Sequence, residues 1–429
     1  MRFSSLADWL AWQETLHPST IDLGLERLNR TLQRLHWQRP QCPVITVAGT
    51  NGKGSCVALL NRILTAAGHR VGTFTSPHLL RYNERITLAG REISDASLIA
   101  AFERIDAARG ADTLTFFEFN TLAALLVFET AGPDAIILEV GLGGRLDGVN
   151  VVDADAALVT SIALDHCDWL GTNVEDIGRE KAGIFRTGQP AVFGAPEMPD
   201  SIAEVAQAVG AQLLRAGRDF GHARTGATWS WQGVTQQLRE LPAPALSGTV
   251  QFDNAAAVLT VLESLSDRLP LDRSAIVRGL QSVRLPGRFQ VIRTDVEWIL
   301  DVAHNPAAAR VLAATLALQS SQAGAADRPI AVCGILGDKD IESVAAELRD
   351  SFAQWVVVRP ASARAIDEHV LAERLRRCGA NVTAIVPTVV AGCETARALA
   401  RPGDRIVVFG SFLTVGPALE WLQADAQAE

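Results

Sequence analysis

Two hydrophobic rhythms alternate along the chain. Val44-Ile45-Thr46-Val47, Val71–Thr75, Ala135–Val140, Ala156–Ser161 and Pro190–Gly194 are short apolar runs rich in β-branched residues, and each predicts a buried strand. Between them, residues 4–16, the stretch from Leu25 to Leu35, 57–67, 95–108, the run led by Thr115 and 201–209 place apolar side chains three and four apart, which predicts helices. Strand and helix taking turns in this way predict a mostly parallel sheet with helices on its faces. Residues 196–250 are less informative, although the alternation Thr228-Trp229-Ser230-Trp231 predicts a hairpin. Helices are expected from Phe252 and over about 273–282. Pro286-Gly287-Arg288-Phe289 breaks the pattern, so the domain boundary is set there, giving domains 1–287 and 288–429. The second domain alternates again, with strands at 298–302, 330–334, 354–358, 382–386 and 405–409. Its helices are read at 307–318, 340–350, 367–377, 388–399 and 417–424. The fold class is therefore α/β: a first domain on a mostly parallel sheet, plus a smaller, Rossmann-like α/β domain at the C-terminus.

Chemistry concentrates where strands end. Val44–Ser55, VITVAGTNGKGS, runs from strand through a glycine turn into a helix. Such a turn presents unpaired N–H groups to an anion, Lys53 adds a positive charge, and Ser55 offers a hydroxyl to magnesium. The usual P-loop pattern would want glycine at Val47 and a hydroxyl at Gly54, so the match is imperfect. Ser76 follows the second strand. Glu139 closes the third, where an acidic group is costly unless paired or bound to metal. The loop Gly141–Asp147 beside it reads as the rim of a site. Asp165 and His166 follow the fourth strand, and Asp301 and His304 follow the first strand of the second domain. Asn305 and Pro306 then fit the N-cap and first position of a helix. Other polar positions have plain readings: Asp22 as a helix cap, His78 as structural, Arg81–Arg85 as a solvated loop, Lys181 as solvated. The aromatics of Thr115-Phe116-Phe117-Glu118 read as core, although a pocket for a flat ring could use the same residues.

Composition narrows the partners. Of 429 residues, 48% are hydrophobic and 20% charged, as in a globular protein with a large core, and the net charge of −9 with no basic run argues against a nucleic-acid surface. Six cysteines lack C-x-x-C spacing and read as reduced thiols. No signal pattern and no apolar run of membrane-spanning length occurs, so the expected compartment is the cytoplasm, without membrane partners. On physical grounds alone the constellation reads as ATP with magnesium, used for phosphoryl transfer, with Arg288 steadying phosphates.

The same residues carry a family resemblance. TIDLGLER (Thr20–Arg27), AGTNGKGS (Ala48–Ser55), TSPHL (Thr75–Leu79), RYNERI (Arg81–Ile86), ILEVGLGGRLD (Ile137–Asp147), TSIALDH (Thr160–His166), GREKAGIF (Gly178–Phe185), LPGRFQ (Leu285–Gln290), DVAHNP (Asp301–Pro306) and GSF (Gly410–Phe412) run nearly end to end. In this the chain resembles the bacterial dihydrofolate synthase/folylpolyglutamate synthases, a branch of the Mur-type ATP-dependent amide ligases. The resemblance implies phosphorylation of a carboxylate by ATP and attack by the amino group of L-glutamate, acting on dihydropteroate and on reduced folates. It implies magnesium ligation by Ser76, Glu139 and His166, with K+ as an accessory cation, and carbamylation of Lys181 by CO2. It implies ATP contacts at Thr50, Asn51, Gly52, Lys53, Asn254, Arg288 and Asp301. Pterin contacts map to Thr20, Ile21, Asp22, Leu23, Thr115, Phe116, Phe117, Glu118, Leu146, Asp147 and Gly148. Lys53, Lys181 and His304 become the catalytic candidates, with His304 near the bound glutamate, and a monomer is expected.

Three positions depart from the family pattern: Gly148 and Val149, where L-D-A-T-N is common, and Cys167, where threonine is common. Competing readings are folylpolyglutamate synthase activity alone, a peptidoglycan Mur ligase, and a nucleotide-binding protein without catalysis. The TIDLGLER and TFFEF stretches favour the bifunctional form. The 48 residues before Gly49 are too few for the nucleotide-sugar domain of peptidoglycan relatives.

Overall fold

The β-branched runs pair side by side in the computed structural model, which describes residues 2–323 and 328–428. The chain forms two compact units. The first comprises the residues up to His78, Tyr82–Ala245 and Phe252–Val283; the second comprises Leu79–Arg81, Leu246–Gln251 and the residues from Arg284 onward.

In the first unit the strands are β1 (Val44–Ala48), β2 (Val71–Phe74), β3 (Ile86–Leu88), β4 (Arg91–Glu92), β5 (Ala135–Glu139), β6 (Ala156–Val159), β7 (Pro190–Phe193) and β8 (Gln212–Arg215). They form one sheet in the order β4-β3-β2-β5-β1-β6-β7-β8. β2, β5, β1, β6, β7 and β8 are parallel, whereas β3 and β4 add an antiparallel edge. Val47 lies beside Glu139 on one side and Leu158 on the other, so the carboxyl ends of β5, β1 and β6 are nearly flush. The central strands are buried along their whole length, the pattern of a parallel sheet covered on both faces. A separate antiparallel sheet holds β9 (Gly221–Thr225), β10 (Thr228–Gln232) and β11 (Gln237–Pro242), so the expected hairpin is one part of three strands.

Local signals explain the helices. Ser5 caps Leu6–Leu16 through the Asp8 N–H, and Thr115 caps Phe116–Ala131 in a reciprocal box with Glu118. Asp22 is not a cap. The helix Glu26–Arg34 starts after Leu25 without a side-chain cap, and Asp22 is instead drawn to Arg27 at 2.5 Å. The run 81–85 is no solvated loop either: Tyr82–Arg85 is a short 3-10 helix in which Tyr82, Asn83 and Arg85 are buried.

The second unit builds its own sheet from β12 (Gln290–Arg293), β13 (Glu297–Asp301), β14 (Ile330–Cys333), β15 (Gln354–Val358), β16 (Val382–Val386) and β17 (Arg405–Phe409), in the order β12-β13-β17-β14-β15-β16. Only β12 is antiparallel, a half-exposed edge strand whose weak apolar signal hid it in the sequence. The last helix, Phe412–Ala428, begins before the expected 417. The Ser411 hydroxyl accepts the Leu413 N–H at 3.1 Å and starts the helix, which then carries Pro417 in its second turn at the loss of one helical hydrogen bond. Among the described residues, no helix is long and apolar enough to cross a membrane.

One close approach in the first unit is testable. A Cβ on Gly279, in the helix Arg273–Ser282, would stand 2.5 Å from Ile63 Cγ1 and 2.7 Å from Ile63 Cα, in the helix Lys53–Ala66. Helix propensity favours alanine by about 1 kcal/mol, but a backbone neighbour cannot swing away, so overpacking wins. Gly279→Ala should lower stability by roughly 1–3 kcal/mol in a denaturant titration; an unchanged midpoint would contradict this packing.

Candidate active site

The glycine turn after β1 is held open by its neighbour. The Thr50 N–H donates to Ser161 O at 2.8 Å and the Thr50 hydroxyl to Ala163 O at 3.1 Å, while the Ala163 N–H returns a bond to that hydroxyl at 3.0 Å. The Thr160 hydroxyl donates to Asn51 O at 2.6 Å. Gly52 has φ +89°, the left-handed region that favours glycine, and forms the N-cap of Lys53–Ala66. Lys53 Nζ donates to Gly49 O at 3.0 Å and to Thr50 O at 3.3 Å, so the ammonium is curled over the turn. Asn254, on the helix Val250–Ser264, comes against the same place: a Cβ on Gly52 would lie 2.8 Å from Asn254 Oδ1, and the Cys56 thiol donates toward that oxygen at 3.6 Å. The structure thus brings Thr50, Asn51, Gly52, Lys53 and Asn254 together.

On the adjoining strand end, Glu139 is only 5% exposed and its Oε2 accepts the Ser76 N–H at 3.3 Å. His166, at φ +52°, starts the short helix Cys167–Leu170 beyond β6, on the same edge of the sheet but across β1 from Glu139; its side chain is 38% exposed. The donor types present, a carboxylate and a neighbouring serine hydroxyl, suit a hard divalent cation, and an imidazole is an acceptable further donor. These residues fit magnesium or manganese.

Lys181 is buried near the end of the helix Val174–Ala182, which corrects the solvated reading. Burial pushes its amine down to about 7, Lys53 adds repulsion, and Asp165 and Asp147 partly oppose both. A sizeable fraction of neutral amine is therefore present near neutral pH. Asp147 accepts backbone N–H bonds from Gly141 (3.0 Å), Leu142 (2.9 Å) and Val149 (3.0 Å), which clamps the Gly141–Asp147 loop, while burial raises its carboxyl to about 6. Its structural part in the loop was not read from sequence.

The stretches mapped to pterin meet through one arginine. Arg27 donates to Asp22 Oδ2 at 2.5 Å and to Glu118 Oε1 at 3.1 Å, joining Thr20–Leu23 to Thr115–Glu118. Arg27 was missed as a site residue, although it closes the TIDLGLER motif. Phe117 packs on Phe74, with ring centroids 5.7 Å apart, and covers Gly141 and Gly148. A Cβ on Gly148 would be 3.1 Å from Thr121 Oγ1 and 3.4 Å from the Phe117 ring, so the glycine keeps that contact loose. Leu146 sits beside this glycine in the loop, half-buried. Phe116 stacks edge-on to Tyr82, and the Arg85 guanidinium lies over its ring at 5.4 Å. Arg85 Nε donates to His78 Nδ1 at 2.8 Å, and burial holds His78 down to about 4, so its ring is neutral.

In the second unit, both oxygens of Asp301 accept backbone N–H bonds, from Phe289 and Ala303, each at 2.8 Å. Burial raises its carboxyl, which Arg288 opposes; the Arg288 guanidinium itself lies 5.0 Å over the Phe412 ring. His304 Nδ1 is 2.8 Å from Val302 O, which assigns the proton to Nδ1 and leaves Nε2 as the acceptor. Asn305 Oδ1 accepts the Ala308 N–H at 2.9 Å and Pro306 opens the helix, as expected from sequence.

Both units match known proteins. Residues 47–241 match the Mur ligase middle domain and 287–412 the Mur ligase glutamate ligase domain. The chain is 44% identical over 421 residues to the dihydrofolate synthase/folylpolyglutamate synthase of Escherichia coli K12, covering 98% of this chain and 96% of that one. The chain belongs to the dihydrofolate synthase/folylpolyglutamate synthase family of Mur ligases. Family structures agree in fold: E. coli FolC in complex with DHPP and ADP superposes with TM-score 0.93 at 43% identity, covering 99% of each chain. The Yersinia pestis bifunctional folylpolyglutamate synthase/dihydrofolate synthase complexed with AMPPNP and Mn gives 0.90 at 45% identity, covering 98% of each.

The buried amine gives a pH test. Lys181 has a folded pKa below its unfolded value, so between about 7 and 10.5 the unfolded chain binds more protons there. Its charge therefore costs stability below that window, and the cost is relieved as pH rises through it. In CO2-free buffer the melting temperature of the wild type should rise relative to Lys181→Met between pH 7 and pH 10; parallel curves would refute a neutralised amine.

Proposed function

We propose that the chain is an ATP-dependent ligase that joins L-glutamate to dihydropteroate and to reduced folates. A carboxylate oxygen of the acceptor attacks the γ-phosphorus of ATP, giving an acyl phosphate and ADP. The glutamate amine then attacks the acyl carbon, loses a proton and expels phosphate, leaving an amide. The observation that carries this reading is the convergence on one sheet edge of the anion-binding turn with Lys53, the Ser76–Glu139 pair and the buried Lys181.

Each group has work suited to its surroundings. Backbone N–H groups of the turn and Lys53 hold the ATP phosphates, and Asn254 braces the turn. Ser76, Glu139 and His166 would hold magnesium, which supplies charge neutralisation on the transferred phosphoryl group. Lys181 in its neutral form can add to CO2, forming an N–C bond and releasing one proton; the resulting carbamate turns a cation beside Lys53 into an anion. We assign Arg288 and Asp301 to the nucleotide and His304, through Nε2, to glutamate. The Asp22–Arg27–Glu118 network and the Phe116–Phe117 rings support the pterin assignment, with Leu146, Asp147 and Gly148 beside them. We place the reaction in the cytoplasm, performed by a monomer.

Two measurements test the reading. Purified protein with ATP, magnesium and L-glutamate should release phosphate with dihydropteroate and with tetrahydrofolate. Release with the folate alone would leave only the polyglutamate activity, and release with neither would remove the ligase. Lys181→Ala should lose most of its activity and regain part of it with added short carboxylic acids; near-normal turnover would exclude the carbamate.

A further inference from the structure

Arg85 is the buried cation that the reading above leaves without a task. It is 8% exposed, at the end of the 3-10 helix Tyr82–Arg85 and directly before β3. Its guanidinium carbon lies 5.4 Å from the centroid of the Phe116 ring and 5.8 Å from that of Tyr82. Nε donates to His78 Nδ1 at 2.8 Å; because a guanidinium only donates, that nitrogen must offer a lone pair, and the partner is a neutral ring. Among the described residues, no carboxylate lies within ion-pair distance of this guanidinium. Glu139 acts on it only as a more distant field.

A buried guanidinium with a neutral partner on one edge is an expensive arrangement. Desolvation is unfavourable to it, and the forked terminal nitrogens are shaped for two parallel bonds to a carboxylate or phosphate. The His78 bond fixes the orientation of the planar group about its stem. Position then selects the anion. The Arg85 guanidinium lies over Phe116, in a stretch assigned to the pterin, and its backbone carbonyl accepts the Thr75 N–H at 2.8 Å, one residue before the Ser76 that contacts Glu139. An acceptor with an aromatic head and a carboxylate tail, lying from the aromatic stretch toward Glu139, meets the guanidinium with its tail.

We propose that Arg85 binds the reacting carboxylate of the acceptor, with His78 as the positioning residue that aims it. The assignment rests on the ligase reading given above. It makes Arg85 a specificity element: the fork retains an acid and leaves buried donors unsatisfied against an uncharged isostere.

The test compares dihydropteroate with its primary carboxamide, titrated calorimetrically into wild type, Arg85→Gln and Arg85→Lys. Wild type should prefer the acid. Arg85→Gln should lose roughly 10- to 100-fold in affinity for the acid, with carboxamide binding, ADP binding and the KM for L-glutamate unchanged. Arg85→Lys, which keeps the charge and the stem, should retain part of the preference and carries the comparison if the glutamine variant does not fold. Equal losses for acid and amide would mean a packing role and overturn the assignment. So would a preference that persists in Arg85→Gln, or a loss falling on ADP or L-glutamate instead. Wild type binding neither pterin compound would remove the ligase reading itself, and this assignment with it.

Discussion

The fold depends on keeping a peptide turn open. Four residues, Gly49 to Gly52, must hold one open shape ahead of the helix Lys53–Ala66, although a stretch with two glycines would gain entropy by moving. The opposing force comes from the strand next door. Thr50, Thr160 and Ser161 exchange hydrogen bonds across the ends of β1 and β6, so the turn is stitched to a second, independently buried strand. Each bond contributes on the order of 1 kcal/mol, and several bonds acting on the same few residues give a turn with one shape rather than many. The parallel sheet is what allows this, since it brings the ends of β5, β1 and β6 to one level.

Charge is the second constraint at that edge. Glu139, Lys181, Asp147 and Arg85 are all buried, and each would be destabilising alone. Asp147 is offset by backbone N–H groups, and Lys181 by partial loss of its proton. Glu139 is held by the Ser76 amide, and Arg85 by an imidazole. Among the described residues, Asp147, Lys181 and Arg85 are not offset by a simple ion pair. That separates this edge from the surface networks, where Arg30 and Arg34 share Asp112, or Arg310 meets Glu347, and where pairing is direct and solvent-screened.

Much of this was legible in the sequence because strand ends are marked by abrupt changes of residue type. A β-branched run that stops at Gly49, Ser76, Glu139 or Asp301 shows both the strand and the place where polar and glycine residues take over. Less was legible where a side chain's role is set by a distant partner. Asp22 has the look of a cap, and only the approach of Arg27 and Glu118 gives it another use. Lys181 and Arg85 look solvated in sequences rich in neighbouring charge, because nothing local records that both are buried. Edge strands such as β4 and β12 were hidden for the opposite reason: exposed or half-exposed, they need no continuous apolar run. Pro417 misled by a general rule, since a helix already started by Ser411 can absorb a proline in its second turn.

The contact between the turn and Asn254 has a consequence in time. Cys56 and Asn254 touch although they are 198 residues apart in the chain. At a translation speed of about 5–20 residues per second, that gap lasts roughly ten to forty seconds. Throughout it, a nascent chain on the ribosome has the strand, the glycine turn and the following helix, yet lacks the side chain that braces them. The turn and its brace are therefore completed late in synthesis, when nearly all of the first unit has emerged.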